Sequence, residues 1–96
     1  MEDVGTWSVR RRRVNERIAQ EQARTLRIGF TEVHDDRMSR ADWALLLAQR
    51  IGNLSAVVMQ SWDNPEDGQK AFDDVLIEIG ALVHSALESS DRKHER

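Results

Sequence analysis

The sequence contains no cysteine, no tyrosine and only one proline, Pro65. The absence of cysteine excludes disulfides, thiolate metal sites and a cysteine nucleophile. The longest apolar run, residues 43–48, is far shorter than the ~20 residues that a membrane-spanning helix needs. No apolar stretch follows the arginines near the N-terminus, so a secretory signal is not expected. We therefore predict a soluble protein of the cytoplasm that does not bind membranes.

The length of 96 residues fits one small domain. It is too short for a barrel enzyme or a doubly wound nucleotide-binding domain. No stretch alternates apolar and polar residues as a half-buried strand would. We predict a flexible N-terminus at residues 1–8, a single helical domain at residues 9–90 and a charged tail at residues 91–96.

Three amphipathic segments predict three main helices, at about residues 8–28, 39–62 and 69–89. Gly29 is a stop signal for the first. Ser39 and Asp42 have the spacing of a capping box at the start of the second, and residues 63–68 form a turn cluster before the third. We predict an all-α fold, an antiparallel bundle of three helices. We expect a homodimer to complete a bundle of four or more helices from the second and third helices, because apolar faces this wide cannot all be covered within 96 residues.

Basic residues are concentrated near the N-terminus. Residues 1–30 carry seven arginines against four acidic residues, although the whole chain has a net charge of -3. Four of these arginines are consecutive: Arg10, Arg11, Arg12 and Arg13. Such a run can contact phosphate backbones. The acidic balance and the lack of interleaved aromatic residues favour other interpretations over nucleic-acid binding. These are a solvated helix start, or an arm that docks on the acidic remainder of the chain or on a sister subunit.

One arginine lies within an apolar helix face. The apolar face of the second predicted helix consists of Trp43, Leu46, Leu47, Leu54, Val57 and Val58. A step of about 100° per residue places Arg50 inside this face. An arginine there is costly unless its head reaches water or has a partner.

Three stretches of the chain resemble segments of small, all-α MazG-like nucleoside triphosphate pyrophosphohydrolases, many of them from phages. Residues 43–54 resemble the pattern W-x-x-L-x-x-E-E-x-G-E-V. Residues 22–36 resemble the segment R-Q-x-x-x-x-G-[WF]-T-x-x-H-D-D of related phage proteins, many of them of unknown function, and residues 72–79 resemble the family's helix E-L-A-D-V-L. Together they cover roughly residues 16–90 in the family's order. The resemblance implies an all-α, dimeric fold.

The family's reaction depends on acidic residues that hold Mg²⁺, which neutralises the triphosphate and activates a water. Four of the five matching positions lack a carboxylate here: they are Gln49, Arg50, Asn53 and Ala71, and only Asp74 is acidic. Arg50 would place a permanent cation where the metal lies. We therefore predict no catalytic residues, no metal and no cofactor.

The same resemblance gives Arg50 a rationale, because an interior built for anions around a metal could hold a guanidinium instead. Asp74 and Glu78 are the candidate partners, one turn apart on the third predicted helix. His34 invites a metal site, but we expect it to pack on Phe30 or Trp43 in a loop where aspartates cap backbone amides.

The function predicted is that of a non-catalytic accessory or regulatory factor of a phage or mobile element. It would bind a host or phage protein, or a nucleotide. One alternative is an active pyrophosphohydrolase with Mg²⁺ in a rearranged acidic site of Asp35, Asp36, Asp73, Asp74 and Glu78. A second is a nucleic-acid-binding accessory protein that uses residues 10–13.

Overall fold

The computed structural model describes residues 4–94, which form helices connected by short turns. The helices are α1 (Val4–Arg27), α2 (Glu32–Asp36), α3 (Arg40–Gln60) and α4 (Gln69–His94), with a 3-10 turn at Pro65–Gly68. The prediction of an all-α fold is confirmed, since the described part of the chain contains no strand. None of the helices within it combines the length and apolar character needed to cross a bilayer.

Two helix ends differ from the predicted ones. Helix α1 begins at Val4, so residues 4–8 are helical where a flexible segment was predicted. Helix α4 continues to His94, so residues 91–94 of the predicted tail are helical as well. The basic residues of its last turn are favourable at a helix C-terminus. Residues 1–3 and 95–96 of the predicted termini lie outside the described residues.

The start of α3 carries the predicted capping box. The Ser39 hydroxyl accepts from the Asp42 amide at 3.1 Å, and the Asp42 carboxylate accepts from the Ser39 amide at 2.8 Å. The hydrogen bond from the Ser39 backbone lowers the pKa of Asp42. Gly29, the predicted stop signal, lies just after α1 and has a φ of 108°, a conformation that favours glycine.

The segment predicted as a loop contains a helix, α2. Its first turn is capped by Thr31, whose hydroxyl accepts from the His34 amide at 3.3 Å. The capping group at this helix start is thus a threonine, where an aspartate was expected.

Helix α4 is the common neighbour of the other elements. Helices α1, α2 and α3 each pack on it, whereas the backbones of α1 and α3 do not contact each other within residues 4–94. Gln22 of α1 donates to the Ser85 hydroxyl of α4 at 3.2 Å. A Cβ at Gly80 would lie 2.9 Å from Ile18 Cδ1, so α1 and α4 approach closely at this point.

The chain has little interior. Among the described residues, Ala81 is the one buried hydrophobic residue. The radius of gyration is 15.7 Å, against about 12.5 Å for a compact domain of this length. The accessible surface is 7482 Å², against about 5,700 Å² for a compact monomer of this mass. The excess is on the order of 1,800 Å².

Candidate functional site

A cleft lies between α1 and α3, with α4 as its floor. Its volume is about 190 Å³, below the ~300 Å³ at which small-molecule sites usually begin. It is lined by Glu21, Arg24, Thr25, Ile28, Phe30, His34, Asp35, Met38, Trp43, Leu46, Arg50, Glu78, Ala81, Leu82 and Ser85. The cleft exists because α1 and α3 both pack on α4 without meeting.

Arg50 and Glu78 form an ion pair in this cleft. The Arg50 Nε lies 3.3 Å from Glu78 Oε2, and the two side chains are 34% and 36% exposed. Of the two predicted partners, Glu78 is therefore the one beside Arg50, whereas Asp74 pairs with Lys70 at 2.7 Å. Arg50 is more exposed than its place in an apolar face predicts, because the cleft above it is open.

A second arginine of the cleft is also paired. Arg24 Nε and Nη2 donate to the Glu21 carboxylate at 3.0 and 2.6 Å. These hydrogen bonds raise the pKa of Arg24. Both cleft arginines thus lie against carboxylates, and Asp35 adds a further acidic group to the lining. A polyphosphate entering the cleft would compete with carboxylates already in place.

The positions at which the resemblance to MazG-like proteins implies metal ligands are not gathered at the cleft. Only Arg50 lines it, while Gln49, Asn53, Ala71 and Asp74 are exposed elsewhere. Gln49 and Asn53 are four residues apart and share a helix face, whereas Arg50 points about 100° away from Gln49. Arg50 therefore faces α4, and Gln49 and Asn53 face solvent.

The acidic residues of the alternative metal site are dispersed among separate partners. Asp35 lies beside His34, Asp36 beside Arg92, Asp73 beside Gln69, Asp74 beside Lys70 and Glu78 beside Arg50. Within residues 4–94, no group of three or more His, Asp or Glu side chains is close enough to hold a metal ion.

Asp36 fastens α2 to the end of α4. Its carboxylate accepts from Arg92 Nε at 3.1 Å and Nη2 at 2.9 Å, and from the Ser89 hydroxyl at 2.8 Å. Ser89 is 1% exposed. The hydrogen bond to Asp36 raises the pKa of Arg92. Neither Ser89 nor Arg92 was predicted as a functional residue. Their spacing of three residues would place them on one helical face only if α4 continued beyond residue 89.

His34 packs as expected. Its ring meets Phe30 edge-on, with centroids 4.9 Å apart. Its Nδ1 lies 3.2 Å from the Asp35 carboxylate. Trp43 contributes to the cleft lining with His34, whereas Trp62 is 71% exposed.

The arginine run lies on α1. Arg10, Arg11, Arg12 and Arg13 are all exposed. Four consecutive helical residues point in directions about 100° apart, so they surround the helix and do not form one face. The Arg11 guanidinium lies 5.0 Å from the centroid of the Trp7 ring. A single nucleic-acid-binding surface does not follow from this arrangement.

No protein-family model, curated protein or solved structure matches this chain. Function is therefore inferred from the cleft, its ion pairs and the exposed surface of the chain itself.

Proposed function

We propose that the protein is a non-catalytic, MazG-like helical protein that works as a homodimer in the cytoplasm. Helices of two chains complete an antiparallel bundle, and the dimer binds a protein of the host or the phage as an accessory or regulatory factor. The main support for this proposal is the very small hydrophobic core, since Ala81 is the one buried hydrophobic residue among those described.

The size of the exposed surface supports a dimer. The excess over a compact monomer is on the order of 1,800 Å² per chain. Two chains that covered this excess against each other would bury about 3,600 Å², which lies in the range of obligate homodimers, about 2,000–5,000 Å².

The ion pairs support a binding role over a catalytic one. Divalent cations are bound by several carboxylate oxygens, and a permanent cation nearby opposes them. Arg50 occupies the cleft, and Glu78 already lies against it. The chain therefore offers no set of free carboxylates at the position where the resemblance implies a metal.

Light scattering and a pyrophosphate-release assay test the two halves of the proposal. We expect a mass of twice 11.1 kDa at micromolar concentration. We expect no pyrophosphate from any nucleoside triphosphate with Mg²⁺ or Mn²⁺. A monomer would refute the dimer, and metal-dependent release that is lost in Glu78→Gln would refute the non-catalytic role.

Nucleotide binding is the second candidate, since Trp43 and Arg50 line one cleft. An aromatic ring and a guanidinium can stack on a base and contact a phosphate. The small volume and the paired arginines weigh against it. Titration of nucleotides against tryptophan fluorescence decides the matter, with Trp43→Phe as the control that assigns any change to the cleft.

A further inference from the structure

The outer face of α3 carries an uncharged stripe, here named the α3 seam. Its positions recur every seven residues in two interleaved series. They are Ala41, Leu45, Ala48, Gly52, Ser55 and Met59, with Trp62 just after the helix end, and all are exposed. Leu45, Met59 and Trp62 are each 71% exposed. The opposite face, with Leu46 and Leu54, is the one turned towards α4.

Gly52 has no explanation within one chain. Glycine inside a helix is destabilising relative to alanine, because it loses more backbone freedom on folding. A Cβ at Gly52 would meet nothing within 4 Å, so no neighbour in the chain requires its absence. A glycine in the middle of an exposed apolar face is what the close approach of a second backbone would require.

The seam is also complementary to itself in the antiparallel direction. A two-fold axis beside Gly52 places Leu45 opposite Met59 and brings Ala48 within one residue of the level of Ser55. It brings the small Ala41 within one residue of the level of the large Trp62. A two-fold interface requires this reciprocity. Every contact between a residue of one chain and a residue of the other occurs a second time with the two chains exchanged. Antiparallel helices also bring ends of opposite partial charge together.

We infer that the α3 seam is the surface through which two copies of this chain associate, with their α3 helices antiparallel and crossing at Gly52. This deepens the proposed function and rests on its dimer. We assign the partner as a second copy of the chain because the large and small side chains of the seam are complementary to each other in the antiparallel arrangement. The seam also has no charged residue. The excess surface of the chain is as large as the surface that an obligate dimer buries.

Gly52→Arg tests the seam, and Asn53→Arg is the matched control because Asn53 is exposed away from it. Light scattering and circular dichroism are measured on both. We expect Gly52→Arg to keep its helix content and to raise the Kd of the dimer about 100-fold or more, because a buried arginine lacks a partner there. Asn53→Arg should remain a dimer. A dimeric Gly52→Arg would overturn the seam and leave the dimer itself standing, whereas a monomeric parent would overturn the proposed function.

Cysteine cross-linking reads out the register independently of any folding defect in Gly52→Arg. The chain has no cysteine, so a single introduced thiol can only link two chains. We expect Gly52→Cys to form a disulfide-linked dimer under mild oxidation, and Asn53→Cys not to. A mixture of Leu45→Cys and Met59→Cys should cross-link, while Leu45→Cys alone should not. A disulfide between two copies of Leu45→Cys would overturn the antiparallel register. If none of these variants formed a disulfide-linked dimer, the seam would be overturned.

Discussion

Replacing Arg92 by alanine removes the group that holds α2 against the end of α4. Asp36 would lose its hydrogen bonds from Arg92, the shortest of which come from Nε at 3.1 Å and Nη2 at 2.9 Å, and would keep the one from the Ser89 hydroxyl at 2.8 Å. The Arg92 and Asp36 side chains are 22% and 17% exposed, so water would replace the guanidinium only in part.

The expected loss follows from these contacts. Hydrogen bonds to charged groups contribute about 1.5–3 kcal/mol each, but part of this is recovered where water reaches the carboxylate. The Arg92 contact with Glu32 adds little, because Glu32 is 74% exposed. We expect Arg92→Ala to lower the free energy of unfolding by about 2 kcal/mol.

Urea denaturation at a fixed protein concentration measures this loss. Asp91→Ala is the matched control on the same turn, because Asp91 is exposed, and its effect should stay within about 0.5 kcal/mol. Arg92→Lys should recover part of the loss, since lysine keeps the charge without the planar fork. If Arg92→Ala unfolds within 0.5 kcal/mol of the parent, roughly the surface-mutation range, Asp36 does not fasten α2 in the way described.

Three further predictions follow from local geometry. Gly68→Ala should lower the Tm, because the added Cβ would lie 2.6 Å from Ser61 Cβ. The expected loss in the free energy of unfolding is about 1–3 kcal/mol. An unchanged Tm would contradict this packing. Arg50→Ala should lower the free energy of unfolding, measured by urea denaturation, by about 1 kcal/mol or less, because the ion pair with Glu78 is about one-third exposed. A loss of several kcal/mol would mean that the cleft is closed to water. Asp42→Asn should be less stable than the parent at neutral pH. Because the pKa of Asp42 is lowered in the folded chain, its carboxylate stabilises the fold above the ordinary aspartate pKa of about 3.9, and this advantage is lost as the pH falls through the lowered value. A difference in Tm that persists at low pH would refute the capping role.

Sequence signals predicted the helix boundaries correctly where residues close together in the sequence determine them. Ser39 and Asp42 satisfy each other within one turn, and Gly29 supplies a backbone conformation that few other residues adopt. The C-terminal extension of α4 could not be predicted in this way. It places Arg92 against Asp36, which is 56 residues away in sequence.

The cleft was only partly predictable. Helical periodicity placed Arg50 on the face that meets α4, one turn from the apolar residues around it. Its exposure depends on the gap between α1 and α3, which no local pattern reports. The position of Asp36 likewise depends on a helix, α2, which is only five residues long and too short to show a period.

The solution mass of the unmodified chain shows whether two copies associate. Sedimentation equilibrium over a range of concentrations reports both the mass and the Kd of self-association. We expect a species of twice 11.1 kDa that persists at micromolar concentration, because a second copy covers the excess surface. A single species of 11.1 kDa, with its helix content intact at every concentration, would contradict it.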